Sequence, residues 1–508
     1  MTMVGYAFVQ QALNLMALPP QRPAVVKPTL RIEENLDHVA VPTAMLARMG
    51  LEAGDPLAHL LFALKHEGVN LGILMEALSK ISGNALLAEI HRAPGGAFAR
   101  RACYLWEEAN GTALDDAPAV TGAAVDLFDP KRYVTMPGER NARWRVNFNG
   151  LGSPRYCATV ERTPAVQRAI DSKLLDRIHA YADHLDASVR DRALTWAYLD
   201  ETRSTFAIEK EVPDERKQQA FVALLHAAHA RRPLSEDYLV ELQQTTVPNP
   251  LDRAVSFRGM QNYLSNGLHG APGVTYLPPP PHIAVELMEE LMAFANRAPK
   301  AMDPLIAGAV ASFGFVFIHP FMDGNGRLSR FLIHHALCRS GQLENGLILP
   351  ISIAMKKHEY DYLKALQAFS IPARQLWDVT WIGEDNYEFQ YAGSPGYEVY
   401  RYWDATPAVD FCSRMAEQAL DVGLRKNTEF LLRYDRVHRE IDRKYDVRGS
   451  DLATLISVAL ENNGVISKKR RDRYRYIVPD EVFDAIEQLS HEVLRERADE
   501  LTVGKSDK

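Results

Sequence analysis

Apolar residues recur at three- and four-residue steps along much of this chain, the spacing that lines one face of an α-helix. Leu57, Leu60, Leu61 and Leu64 are followed by Leu71, Leu74 and Leu78, then by Leu86, Leu87 and Ile90. That pattern predicts helices over 46–115. It returns at Leu174, Leu175, Ile178 and Tyr181, and again at Val189, Leu194, Ala197, Tyr198 and Phe206, until Pro213 ends the element. Further helical stretches are predicted over His282–Arg297, Met302–Phe317 and Leu328–Ser340. The stretch Leu305–Ile318 is apolar on every side but short for a bilayer, so it reads as a buried core helix.

Three segments break the period. Residues 1–45 carry Pro19, Pro20, Pro23, Pro28 and Pro42 and read as an irregular arm. Residues 116–165 mix Gly, Pro and β-prone residues and predict irregular structure with short strands. Val255–Pro281 holds four glycines and the run Pro278–Pro281, which must be extended because proline donates no backbone hydrogen bond. Val274–Tyr276, just before it, reads as a short strand of an exposed hairpin. The predicted order is an arm (1–45), an N-terminal accessory domain (46–165) and a core (166–385). A connecting helical segment (386–426) and a small C-terminal helical, winged-helix-like module (427–508) follow.

The chain has 508 residues, too many for one ordinary core. Its 47% hydrophobic and 24% charged composition is that of a globular protein, and a net charge of -7 gives the whole molecule no nucleic-acid signature. The four cysteines form no CxxC pair, which argues against a zinc site or a disulfide framework and fits a reducing, cytoplasmic setting. No leader-like or membrane-spanning stretch is read, so no membrane partner is expected.

The chemistry concentrates in HPFMDGNGRLSR. An apolar helix delivers His319 to a loop of Asp323, Gly324, Asn325 and Gly326, and a second helix starts there. Glycines on both sides of Asn325 let successive backbone N–H groups turn into one concavity. At a helix N-terminus such a concavity binds anions. Arg327 and Arg330, three residues apart, add two guanidinium groups suited to a polyphosphate. Asp323 is a hard oxygen ligand suited to Mg²⁺. His319 suits general-base work on a hydroxyl.

This segment resembles the signature of the Fic family, HxFx(D/E)GNGRxxR, with every fixed position filled by His319, Phe321, Asp323, Gly324, Asn325, Gly326, Arg327 and Arg330. The resemblance implies a mainly α fold: a helical bundle core with a β-hairpin flap. It implies transfer of AMP from ATP to a Ser, Thr or Tyr hydroxyl of a target protein. His319 would be the base and Asp323 would hold Mg²⁺. Gly324, Asn325 and Gly326 would cradle the α-phosphate, Arg327 and Arg330 would hold the outer phosphates, and Phe321 would pack under the loop. Val274, Thr275 and Tyr276 resemble the family's target-docking flap, with Arg258, Gln261 and Asn262 ahead of it. Tyr360 and Tyr362 are candidates for a base pocket.

Thr205–Lys210 (TFAIEK) is similar to the family's inhibitory pattern (S/T)xxxE(G/N), with Lys210 in the last position. The resemblance implies a helix over about 186–211 whose Thr205 and Glu209 restrain the nucleotide, Glu209 by pairing with Arg330. At the C-terminal end, Lys468–Arg475 (KKRRDRYR) is a candidate nucleic-acid contact. Two other functions stay open: removal of AMP from a modified protein, and an ATP-sensing DNA-binding regulator. A homo-oligomer is also open.

Overall fold

The computed structural model describes residues 2–247, 249–343, 346–383, 386–445, 447 and 449–496. Helices dominate these residues, and the strands form small sheets of two to four strands. The chain divides into two compact units. The first takes Met1–Ser172, Gln219–Gln342 and His358–Ser413; the second takes Lys173–Gln218, Leu343–Lys357 and Arg414–Lys508. The consecutive boundaries expected from the sequence are replaced by interleaved ones, because helices far apart in the chain cover one another's apolar faces.

In the first unit, the central element is the helix Pro304–Ile318, buried along almost its whole length. Asp303 starts it by accepting hydrogen bonds from the N–H groups of Leu305 (2.9 Å) and Ile306 (3.1 Å). It packs on Asn325–Arg339 and on Pro281–Ala301. The crossing is close at Gly308, where a Cβ would stand 3.2 Å from both Ala336 Cβ and Ile333 Cα. Any larger residue there would push the two motif-bearing helices apart.

The expected arm at 1–45 is in fact folded. Met3–Val4, Ala24–Lys27, Val39–Pro42 and Glu33–Glu34 form a four-stranded sheet, and Gly5–Ala12 is a helix. Val4, Ala24, Val39 and Val41 pack with Leu51 and Phe62 in a small apolar cluster. The strands are short and proline-flanked and pair across distance, so they carry no readable period. Short strands also occupy 125–159, as the composition of that segment predicts.

The segment 386–426, expected to be helical, contains two strands. Asn386–Tyr391 pairs antiparallel with Trp377–Gly383. Tyr402–Asp404 pairs parallel with Tyr156–Thr159, joining the accessory region to the core.

In the second unit, Ala187–Ile208 is a 22-residue helix. Its Glu201 is fully buried and accepts from Ser352 N–H (2.8 Å) and Ser352 Oγ–H (2.5 Å), at the start of helix Ile351–Lys357. The module expected to be winged-helix-like has its own apolar core around Leu455, Ile456, Val482, Phe483 and Ile486. Among its described residues it is helical and has no strand, so it has no wing.

Glu67 yields a pH test of the first unit. Its carboxylate accepts from Tyr6 N–H (2.9 Å) and Ala24 N–H (3.3 Å), fastening the N-terminal helix and sheet. Burial pushes its carboxyl up from 4.5 to about 7. A group that holds its proton more tightly when folded contributes stability that is full below about pH 4.5 and is lost as pH rises through about 7. Denaturant unfolding at about pH 5 and pH 8 should show a Glu67-dependent loss of about 2–3 kcal/mol toward the higher pH, absent in Glu67→Gln.

Candidate functional site

The helix Pro304–Ile318 ends because His319 takes a left-handed conformation, φ 53°. Its N–H still bonds Phe315 C=O (2.9 Å) while the chain turns away. A non-glycine residue in this region costs about 1 kcal/mol, and such strain persists only where surrounding contacts fix it. Arg258 supplies those contacts. Its buried guanidinium donates to the carbonyls of His319 (2.8 Å), Met260 (3.0 Å), Ile318 (3.4 Å) and Pro279, and its own N–H donates to Pro320 C=O (2.8 Å). Burial pushes its pKa down to about 10, so it stays charged at neutral pH.

The His319 ring lies with Nδ1 3.2 Å from Val316 C=O. A carbonyl only accepts, so Nδ1 carries a proton in this contact, and Nε2 is the nitrogen left to exchange one.

The loop after His319 is held by its own side chains. Asn325 accepts from Phe321 N–H at Oδ1 (3.0 Å) and donates from Nδ2 to Phe321 C=O (2.8 Å). The Asn325 amide therefore clasps the loop. Phe321 is buried between Phe257 and Phe315. Gly324 stands at φ 89° as the residue before helix Asn325–Arg339, and no side chain caps that helix. Uncapped first-turn N–H groups of this kind can bind an anion. A Cβ on Gly324 would meet Val247 Cγ2 at 3.1 Å, so both space and conformation require glycine.

Asp323 is half exposed at the mouth of the loop. One oxygen accepts from Gly324 N–H (2.6 Å), and both lie 3.4 Å from Arg327 Nη2. Arg327 is buried and also donates to Thr246 C=O (3.1 Å); Arg330, one turn on, is buried as well. Gln243, fully buried, was not a candidate from sequence. Its amide donates to Asp323 C=O (3.2 Å) and Asp252 C=O (3.0 Å), and its carbonyl accepts from Ala254 N–H (2.9 Å). It ties the Asp323 end of the loop to helix Glu236–Thr246.

The hairpin expected near Val274 is present. Val274–Tyr276 pairs antiparallel with Leu264–Ser265, with Val274 and Tyr276 buried and Thr275 exposed. Tyr276 Oη–H donates to Phe317 C=O (2.5 Å), and Gln261 Nε2 donates to Pro278 C=O (2.8 Å). Arg374 donates to Val274 C=O (2.9 Å) and Trp377 C=O (2.7 Å).

Known proteins are similar to the part of the chain that holds this loop. Residues 233–337 match the Fic/DOC family model. The chain carries a Fic domain. A protein adenylyltransferase Fic of Nematostella vectensis is 24% identical over 216 residues, covering 41% of this chain and 38% of the relative. Another, of Culex quinquefasciatus, is 36% identical over 93 residues, covering 18% and 17%. The chain therefore spans less than two fifths of the length of these curated relatives. A solved Fic family protein from Desulfovibrio desulfuricans aligns at 17% identity and a TM-score of 0.39, covering 59% of this chain and 87% of that one.

Not every expected residue joins the Fic loop. Tyr362 is a core residue, stacked on Phe411 (5.5 Å) and edge-on to Phe313 (6.0 Å), whereas Tyr360 is 79% exposed. Two residues apart on helix Glu359–Arg374, they project to different sides and make no common pocket. The hairpin Trp377–Gly383/Asn386–Tyr391 backs the flap, with Tyr387 and Phe389 against Tyr263 (5.2 and 5.7 Å). Its sequence signal is the alternation of Trp377, Val379 and Trp381 and of Tyr387, Phe389 and Tyr391.

Thr205 and Glu209 belong to the second unit. Thr205 is fully buried, and Glu209 caps the C-terminus of helix Ala187–Ile208. Lys210 follows at φ 59°, with its N–H on Ala207 C=O (3.1 Å) and Glu211 N–H on Phe206 C=O (3.0 Å). This is the two-bond helix ending that favours glycine or asparagine at the left-handed position. Lys210 adopts that conformation at a cost.

Two outcomes follow. Lys210→Gly should raise the stability of the second unit by about 0.5–1 kcal/mol, read by denaturant unfolding. Arg258→Ala, which strips donors from several carbonyls at once, should cost about 3 kcal/mol and lower the melting temperature by several degrees.

Proposed function

We propose that this protein transfers AMP from ATP-Mg²⁺ to a Ser, Thr or Tyr hydroxyl of a target protein. The observation that carries the proposal is one short stretch holding both a histidine whose Nδ1 faces the Val316 carbonyl, so that Nε2 is the nitrogen that would take a proton, and, six residues on, a helix N-terminus with no side-chain cap. A base beside an N–H nest serves attack on phosphorus; an ATP sensor would need only the nest. The curated relatives' names, protein adenylyltransferase, support the same reading.

In the reaction, the target oxygen attacks the α-phosphorus and its proton passes to His319 Nε2. The bond from the α-phosphorus to the bridging oxygen breaks, and pyrophosphate leaves. The first-turn N–H groups of Asn325–Arg339 would bind the α-phosphate, and Arg327 and Arg330 the outer phosphates. The catalytic gain is positioning and charge neutralisation. No cluster of three or more His, Cys, Asp or Glu side chains among the described residues would hold a metal by itself. Asp323 fits Mg²⁺ that arrives on the nucleotide, since one carboxylate with phosphates and water is a usual Mg²⁺ set. Mg²⁺ would neutralise phosphate charge there. Exposed Thr275 would lie on the flap's target-facing side, where an extended target backbone could be received.

The resemblance of TFAIEK to the inhibitory pattern supports a brake that depends on Glu209. With α-³²P-ATP and Mg²⁺, label on protein is expected to be weak in wild type, strong in Glu209→Gly and absent in Glu209→Gly/His319→Ala. Equal labelling with and without Glu209 would discard the brake and keep the transferase. No label in any form, with ATP bound, would overturn the transferase in favour of AMP removal or nucleotide sensing.

A further inference from the structure

The basic run Lys468–Arg475 is left unused by nucleotide chemistry, and the structure shows what each cation does. In this C-terminal part of the second unit, helix Gly449–Glu461 ends at Asn463 (φ 53°) and Gly464 (φ 90°). Helix Lys468–Tyr474 follows, then helix Asp480–Arg495. The turn is tightly seated: a Cβ on Gly464 would stand 2.5 Å from His491 Nδ1, and Ile466 N–H donates to Glu487 (2.7 Å). Leu452, Leu455, Ile456, Phe483 and Ile486 bury the first and last of these helices in one core. The middle helix has no buried residue.

Of the six cations in the run, Arg471 alone turns inward. It is paired with Asp484 (2.8 Å) and Glu487 (2.7 Å), which bolts the middle helix to the last one. Lys468, Lys469, Arg473 and Arg475 are exposed and Arg470 half-buried, and among the described residues none of these five has an acidic partner. A merely solvated helix face usually interleaves acids at three- and four-residue steps; this one has a single acid, Asp472. Beside it, Arg475 lies over the Tyr476 ring (5.2 Å), and Tyr476 is 87% exposed.

We infer that this face is a nucleic-acid contact, in which the exposed second helix of a helix-turn-helix arrangement lies against duplex DNA. The five outward cations would meet backbone phosphates, and Tyr476 would contact sugar or base. The protein's net charge is -7, so attraction to DNA must be local to such a face. This inference is independent of the proposed AMP transfer.

The test uses the whole 508-residue chain with a fluorescently labelled duplex of about 20 base pairs, read by anisotropy across salt concentrations. With five phosphate contacts, affinity should fall by about a few hundredfold between 50 and 200 mM salt. Lys468→Ala/Lys469→Ala/Arg473→Ala should weaken binding at least tenfold and flatten that salt dependence, with an unchanged melting curve because all three side chains are exposed. Equal binding by wild type and triple variant would overturn the inference. So would the absence of duplex binding, including the case where vesicles containing phosphatidylglycerol bind instead, through Tyr476 and Ile477.

Discussion

The Fic loop must reverse the chain between two almost fully buried helices, and its backbone polar groups then need partners that neither helix can supply. Side chains supply them. Asn325 takes both polar groups of Phe321, Arg258 takes the carbonyls around His319, and Gln243 takes that of Asp323. With the loop's own needs met in this way, the first-turn N–H groups of the second helix are left uncapped by side chains. A loop held so firmly is preorganised, which is where phosphoryl chemistry gains most.

Two left-handed residues mark where function and folding compete. His319 ends one helix and Lys210 another, at φ 53° and 59°. Glycine would be more stable at either place. At 319 the proposed transfer needs the imidazole, and four carbonyl bonds from Arg258 offset the strain. At 210 no comparable contact is seen on the backbone beyond the helix-ending bonds themselves.

The eight fixed positions of the motif are legible because the role expected of each is a local one: a base, a conformation, a charge. The long helices were legible from their period. Other features depend on partners distant in sequence. The strands of residues 1–45 pair with each other and pack on Phe62, so their prolines read misleadingly as a linker. Gln243 acts through the carbonyl of Asp323, far along the chain, and nothing in its neighbourhood signals it; Arg258 is legible only as part of the stretch ahead of the flap, and not as the holder of the carbonyls around His319. Tyr362 reads like a pocket aromatic, yet Phe313 and Phe411 enclose it. The alternation in 377–391 is present in the sequence, but its flanking helices mask it.

The central claim is that the loop is fixed in advance for an anion by the Asn325 clasp. Calorimetric titration of ATP-Mg²⁺ into Asn325→Ala, in a Glu209→Gly background, tests it most directly. The account predicts affinity lower by about tenfold or more, as an unclasped loop loses its aligned N–H groups. Unchanged affinity with the fold intact would contradict it.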